Sequence, residues 1–401
     1  MKIQDIIVKL IFDSRGEETI EVELQDENSD LFRAQIPSGK SRGKNEAAVL
    51  GYDAAQKVVA SILNKKIIGP DFNYVRELDN FLISLDNTKN KSKIGGNLML
   101  GISIAFSRMM AFMCGKELWE FLSDEFFGGR ASSESEKPLI FSNLINGGEH
   151  ANNNLDIQEY MVVVGGGKPI SLRVKKLISF YKKLGDILKA KNKLKNIVIG
   201  DEGGYAIDFK DNFEPIKILE DLIYKQGFKK EFSLGLDVAA NSFYGKGGYS
   251  FGGRKVNTKE LGKIYSGYFK KSKLLHSIED PFAETDEDGF KKLKNSKADR
   301  IVVGDDLTVT SPFLIEKYAK AGLISGVIIK PNQIGTVTES CEAMLAAKEN
   351  KIKTIVSHRS GETKDNFIIH LAKAGGAYGV KIGAPVRERI LKFDELIRIY
   401  D

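Results

Sequence analysis

The chain has 401 residues, enough for two domains or one large and one small. Its 42% apolar and 28% charged content fits an ordinary globular protein, and a net charge of +6 with no long basic block argues against nucleic-acid binding. The two cysteines, Cys114 and Cys341, have no metal-ligand spacing and fit a reducing, cytoplasmic setting.

The opening MKIQDIIVKLIFDSRG has acidic residues inside any apolar core and no small-residue cleavage pattern, which argues against a standard secretory signal. Met1–Leu24 alternates in part, with Ile20, Val22 and Leu24 on one side and Glu21 and Glu23 on the other. That predicts a strand with one wet face. Leu31–Ile36 is a second strand candidate, broken by the loop Pro37–Gly43. Helical periodicity then runs from about Asn45 to Leu122. The most apolar stretch, Ile94–Cys114, is interrupted by Asn97, Ser103 and Arg108 and reads as a buried helix, with no insertion into a membrane. Small and polar residues over 128–138 suit a linker, so 1–130 is expected to be an α+β domain and 131–401 a second unit.

After the linker, apolar runs recur between helical segments. They are Leu139–Leu144, Tyr160–Val164, Ile197–Ile199, Phe232–Val238, Leu274–Ile278, Ile301–Val303, Gly326–Ile329, Ile352–Val356 and the weaker Ala377–Lys381. Helical stretches such as Ser171–Ala190, Glu214–Gln226 and Thr336–Glu349 lie between several of them. This alternation predicts an eight-stranded (β/α) TIM-like barrel, irregular at its first two strands, which are joined by a short connection. Active sites in such barrels gather at the carboxyl ends of the strands.

Charged residues stand at those ends. Asp237, Glu279 and Asp305 close or follow three runs, and oxygen donors without cysteine or histidine nearby favour Mg²⁺. Each of the three is alternatively a helix N-cap. Glu202, in Gly200–Gly204, is a candidate general acid or part of a plain turn. Lys330 follows Val327–Ile329. Beside a metal its ammonium is disfavoured, which lowers its pKa and suits a general base; a lysine turned outward on the rim is the alternative. Ser357–Thr363 combines hydroxyls, an imidazole and a guanidinium able to grip phosphate. His150 and His358 lie in polar loops, although only 4 histidines occur in the chain. No serine stands in a GxSxG elbow and no GxGxxG motif is present.

In order and spacing these motifs resemble the enolase family over nearly the whole chain. Asp13–Gly16 is similar to its opening motif and Pro37–Gly43 to its serine loop. Asn146–His150 and Asp156–Tyr160 resemble its NGG-x-H and QEF segments. Gly200–Gly204 matches GDEGG, and Ser357–Thr363 matches SHRSGET. Leu236–Ala240, Ser277–Pro281 and Gly304–Leu307 resemble its metal-bearing segments, Lys330–Gly335 its catalytic lysine segment and Lys381–Pro385 its KTGAP segment.

The resemblance implies Mg²⁺-dependent, reversible dehydration of 2-phosphoglycerate to phosphoenolpyruvate. Asp237, Glu279 and Asp305 would hold one Mg²⁺, and Ser41 would close over the site and contribute to a second near the phosphate. Lys330 would take the C2 proton. Glu202, supported by Glu159, would help hydroxide leave. Arg359 and Ser360 would bind phosphate and Lys381 the carboxylate, with His150, His358 and Gln158 lining the pocket.

The chain departs from the family pattern at Lys40 and Arg42, where Ala and Thr are usual, and at Ser242, Pro331 and Ile382. None of these removes a residue assigned to chemistry. Glu21 and Arg398 match positions that pair across the family's dimer contact, which implies at least a homodimer, with an octamer open. Two other readings are a barrel lyase acting on another carboxylate and a non-catalytic binding protein. The Arg359–Ser360 clamp opposes the first, and the intact Lys330, Glu202 and carboxylates oppose the second.

Overall fold

The alternation in the first forty residues folds into an antiparallel sheet of β1 (Asp5–Phe12), β2 (Glu18–Gln25) and β3 (Leu31–Gln35), in that order. The computed structural model describes residues 1–40, 43, 45–129, 136–297 and 299–401. Ile20, Val22 and Leu24 enter the core as the alternation predicts. Glu23 does not stay wet: it is 1% exposed, covered by Lys9 at 2.8 Å and Arg33 at 2.5 Å.

Helices Tyr52–Val58, Val75–Asp86, Gly96–Met113 and Leu118–Phe127 complete this part. Gly96–Met113 is long and apolar enough to cross a membrane, but 78% of it is buried inside the protein. It lies against β2 and β3 because Gly101 has no side chain; a Cβ there would collide with Val22.

The later runs build a closed barrel. Its strands are β4 (Leu139–Asn146), β5 (Glu159–Val164) and β6 (Phe232–Asp237). A short meander of β7 (Tyr244–Gly245), β8 (Gly248–Phe251) and β9 (Arg254–Val256) follows β6. The barrel resumes with β10 (Leu275–Glu279), β11 (Ile301–Gly304), β12 (Gly326–Ile329), β13 (Lys353–Ser357) and β14 (Gly379–Ile382), which closes onto β4.

The irregularity is larger than the sequence suggested. β5 runs antiparallel to both β4 and β6, and every other pair is parallel. The turn between Asn146 and Glu159 holds no crossover helix, so the chain reverses in place. Helix Ile170–Asn192 then climbs back to the rim. This is why Ile197–Ile199 is not a barrel strand: it arrives at the rim and makes only an isolated bridge from Ile199 to Tyr205.

Inside the barrel, Phe141, Met161, Val163, Ile301, Val303, Ile328 and Ile355 form a separate apolar plug. Polar residues at the strand ends therefore stand on a packed floor. Replacing Gly101 with Val should cost about 1–3 kcal/mol by overpacking the Val22 contact, read as a lower urea midpoint with unchanged slope.

Candidate active site

Strand register brings the first charges together. Glu159 opens β5 opposite Asp237, the last residue of β6, and Asp237 is opposite Glu279, the last residue of β10. Three carboxylates thus stand in one row on adjacent strands. Across the barrel, Lys381 on β14 sends its ammonium among them, 2.9 Å from Asp237 Oδ2, 2.9 Å from both Glu279 oxygens and 3.2 Å from Glu159 Oε2. All four side chains are buried.

Asp305 follows β11 and Lys330 follows β12. The Lys330 ammonium donates to Asp305 Oδ2, and Gln333 Nε2 donates to Asp305 Oδ1 at 2.9 Å. Thr310 accepts the Lys330 N–H at 2.8 Å and donates to Gln333 Oε1 at 2.7 Å, which fixes the lysine's base. Pro331 opens the short helix Pro331–Ile334, where its missing N–H costs nothing, so this departure is compatible with the extended backbone of Lys330.

On the next wall, Arg359 Nη1 donates to Asn332 Oδ1 at 2.8 Å and lies 3.3 Å from Glu46 Oε2. Ser360 Oγ accepts the Lys40 N–H at 3.0 Å. Opposite, Glu202 Oε2 accepts from Asn143 Nδ2 at 3.0 Å. His150 Nδ1 is 3.7 Å from both Glu159 Oε1 and Glu202 Oε1, and His358 Nε2 is 3.7 Å from Glu202 Oε2.

One pocket is lined by His150, Gln158, Glu159, Glu202, Asp237, Asp305, Lys330, His358, Arg359, Ser360 and Lys381. Glu279 reaches it through Lys381. Ser41 and Arg42 lie outside the described residues. Several buried polar atoms of this wall make no hydrogen bond: His150 Nδ1, Gln158 Oε1, Glu159 Oε2 and both His358 nitrogens. Such unmet groups are costly unless a polar ligand meets them.

The charges divide unevenly. Burial raises the Glu279 carboxyl and Asp237 adds to this, leaving it well above the usual range despite Lys381. Burial and Glu202 likewise push Glu159 well up. Burial also raises Glu202, but His358, His150, Arg389 and Lys381 outweigh it and hold Glu202 well down. Burial drives both imidazoles towards neutrality. The surroundings thus push the two carboxyls of this pair in opposite directions.

Lys330 is paired with a carboxylate in the ion-free protein. Burial lowers its pKa, but the Asp305 carboxylate outweighs burial and the net shift is upward. The three expected metal ligands are likewise divided, Asp237 and Glu279 on Lys381 and Asp305 on Lys330. Among the described residues, the acidic group whose oxygens all lie within 4.8 Å of one another is Asp280, Asp305 and Asp306. The donor set is all oxygen and fits a hard divalent cation.

Four partners carry no assigned role in the sequence reading. Asp280 accepts the N–H groups of Asp305 at 3.0 Å and Asp306 at 2.8 Å, tying the β10 and β11 rims together. Its φ of +38° is a left-handed conformation imposed on a non-glycine residue. The Asp280–Pro281 and Asp305–Asp306 dipeptides were the available signal. Gln333 stood in the Lys330–Gly335 segment without a role of its own, and Glu46 and Asn143 had no signal.

A barrel with carboxylates, a lysine and an anion grip at its carboxyl rim defines a lyase-type active site for a small acid. Two family models match the chain: "Enolase, N-terminal domain" over residues 3–122 and "Enolase, C-terminal TIM barrel domain" over 135–401. The enolase of Ehrlichia canis is 40% identical over 99% of this chain and 96% of its own length. That of Methanopyrus kandleri is 38% identical over 99% and 95%, and that of Aeropyrum pernix 36% over 97% and 91%. The chain belongs to the enolase family.

Two outcomes test this electrostatic arrangement. Lys381→Met should destabilise the ion-free protein by about 3–5 kcal/mol in urea unfolding, because three buried carboxylates lose their counter-charge. Burial and Asp305 push the Asp306 carboxyl up to about 6 from 3.8. Its ionisation therefore opposes folding at high pH, and that burden fades as pH falls through 6. Asp306→Asn should raise the thermal midpoint of the ion-free protein at pH 8, with the gain shrinking below pH 6 and gone near pH 4.

Proposed function

We propose that this protein is an enolase that reversibly dehydrates 2-phospho-D-glycerate to phosphoenolpyruvate, as a cytoplasmic enzyme of glycolysis and gluconeogenesis. The observation that carries the reading is the opposition of Lys330 and the Glu159–Glu202 pair, which line one pocket together with Arg359 and Ser360. The domains divide as 1–130 and 131–401.

Lys330 Nζ removes the C2 proton. The Glu159–Glu202 pair acts from the other side, where Glu202 gives departing C3 hydroxide its proton and Glu159 supports it, with His150 and His358 alongside. Arg359 and Ser360 hold the phosphate, and Lys381 turns its ammonium to the carboxylate. Ser41 contributes to the phosphate end of the site. Gln158 and the two histidines meet the polar edges of the substrate.

We assign the cation as Mg²⁺, which Asp237, Glu279 and Asp305 would hold, with a second near the phosphate and Ser41; it would supply the positive charge that a carboxylate-stabilised carbanion needs. The C2 proton is weakly acidic because its removal adds charge to an existing carboxylate. Preorganised positive charge is the largest contribution such a site makes.

The subunits pair as homodimers. Arg398 is bonded within its own chain to Glu117 at 2.9 Å and Glu395 at 2.7 Å, and Glu21 accepts from Gln35 at 2.7 Å. A dimer that uses Arg398 and Glu21 must therefore share these groups. Light scattering should give at least twice the 44.5 kDa chain mass.

The direct test is the growth of enol-phosphate absorbance from 2-phosphoglycerate. It should require Mg²⁺ and stop on chelation. Lys330→Ala and Glu202→Gln should each lower turnover by about a hundredfold or more, with folding intact. Absence of turnover by folded, metal-loaded protein would reject the reading.

A further inference from the structure

The pocket mouth has two sides. One carries Arg359 and Ser360 after β13, and the other carries Asp201 and Glu202 in the turn at 200–204. Lys40 touches both. Its N–H donates to Ser360 Oγ at 3.0 Å, and its ammonium lies 3.0 Å from Asp201 Oδ2.

The base of Lys40 is fixed. Ser38 exchanges two backbone hydrogen bonds with Gly361, at 2.8 and 2.9 Å, and its hydroxyl donates to Asp13 at 2.6 Å. Asn332 donates to the carbonyl of Pro37 at 3.1 Å. The turn on the other side is closed by Gly200 N–H to Gly204 O at 2.8 Å and Gly203 N–H to Gly200 O at 3.0 Å. Asp201 lies at its tip, next in the chain to buried Glu202.

The ammonium of Lys40 is thus a link from an anchored strand end to the turn that carries Glu202. The two side chains are 43% and 29% exposed, so the pair is open to solvent and weak. It adds little to global stability. Lys40 itself lines the pocket together with Ser360 and Glu202.

We propose that Lys40 is a positioning residue whose ion pair with Asp201 holds the Glu202 turn at a set distance from the Arg359–Ser360 side. Substrate then binds between two tethered walls, and loss of the tether weakens binding more than it slows chemistry. This rests on the enolase reading above and concerns only Lys40 and Asp201.

The test uses the full-length protein with Lys40→Ala, Asp201→Asn, both together, and Lys40→Arg. Each of the first two should raise KM for 2-phosphoglycerate by about two- to fivefold, the range an exposed ion pair carries, with kcat little changed. The double variant should be no worse than either single one, and Lys40→Arg should behave as wild type. Salt of about 0.5 M should erase most of the difference, since it screens an exposed pair. Effects that multiply, an unchanged KM, or a change with Lys40→Ala alone would overturn the proposal. A second readout needs no turnover: amide exchange at 38–40 and 200–204 in the ligand-free protein should quicken equally in both single variants, and unchanged exchange overturns the tether. A wild-type protein without turnover would defeat the enolase reading, while exchange would still decide the tether.

Discussion

One ammonium among three buried carboxylates sets the terms for the rest of the site. The register of β5, β6 and β10 leaves no freedom: Glu159, Asp237 and Glu279 must share a row. Without compensation, several buried charges of one sign would each cost several kcal/mol. Lys381 reaches them from β14, the strand beyond β4 on the closing side of the barrel. A single positive charge cannot satisfy three negative ones, and the excess is visible in the raised Glu159 and Glu279 carboxyls. The ring therefore remains able to attract a cation. The same residues that make the rim electrostatically expensive make it useful, and Lys381 is the internal competitor for that place.

The anion side is built from both halves of the chain. Arg359 belongs to the barrel, but Glu46 comes from the segment after β3 and supports its guanidinium, with Asn332 bonding the same group. Gly361 permits the close approach. A Cβ there would collide with Asp13 and crowd Arg15 and Ser38, so the barrel loop and the first loop of the chain meet only because this position is glycine. Further out, Arg108 grips Asp365 through two 2.8 Å bonds, and Asp365 also accepts the N–H of Gln35 at 3.0 Å. The Arg359 guanidinium is thus held in place by Glu46 and Asn332, and on the proposed reading less ordering remains to be done when a phosphate binds. Glu46 keeps it neutralised in the meantime, and a phosphate has to displace that carboxylate's share of the attraction.

The sequence exposes such a site where chemistry is local. A polar residue at the end of a short apolar run needs no partner to be noticed, and Asp237, Glu279, Asp305, Lys330, His358 and Lys381 were all legible in that way. Direction was not. Apolar strands read the same whichever way they run, so β5 was visible as a strand while its reversal was only hinted at by the short turn before it. Ile197–Ile199 had the composition of a strand without its place in the barrel. The roles of Glu46, Asn143 and Gln333 were invisible because they exist only through partners distant in sequence. The contact between Lys330 and the Asp305 carboxylate was hidden for the same reason, since nothing in either segment announces it.

The split between Glu159 and Glu202 follows from their surroundings. Both are buried, so burial raises both and does not distinguish them. What differs is the company. Glu202 has the Asn143 amide at 3.0 Å and two imidazoles at 3.7 Å, and Arg389 adds positive charge. Glu159 has Lys381 at 3.2 Å but no hydrogen bond to Oε2 and shares that lysine with Asp237 and Glu279. An amide donor stabilises an anion without demanding charge of its own, whereas a shared ammonium is diluted among its claimants. The two carboxylates are thus held by different partners, Glu202 by an amide and Glu159 by a shared ammonium. His150 stands equally near both, at 3.7 Å, and so couples the two carboxylates through one imidazole.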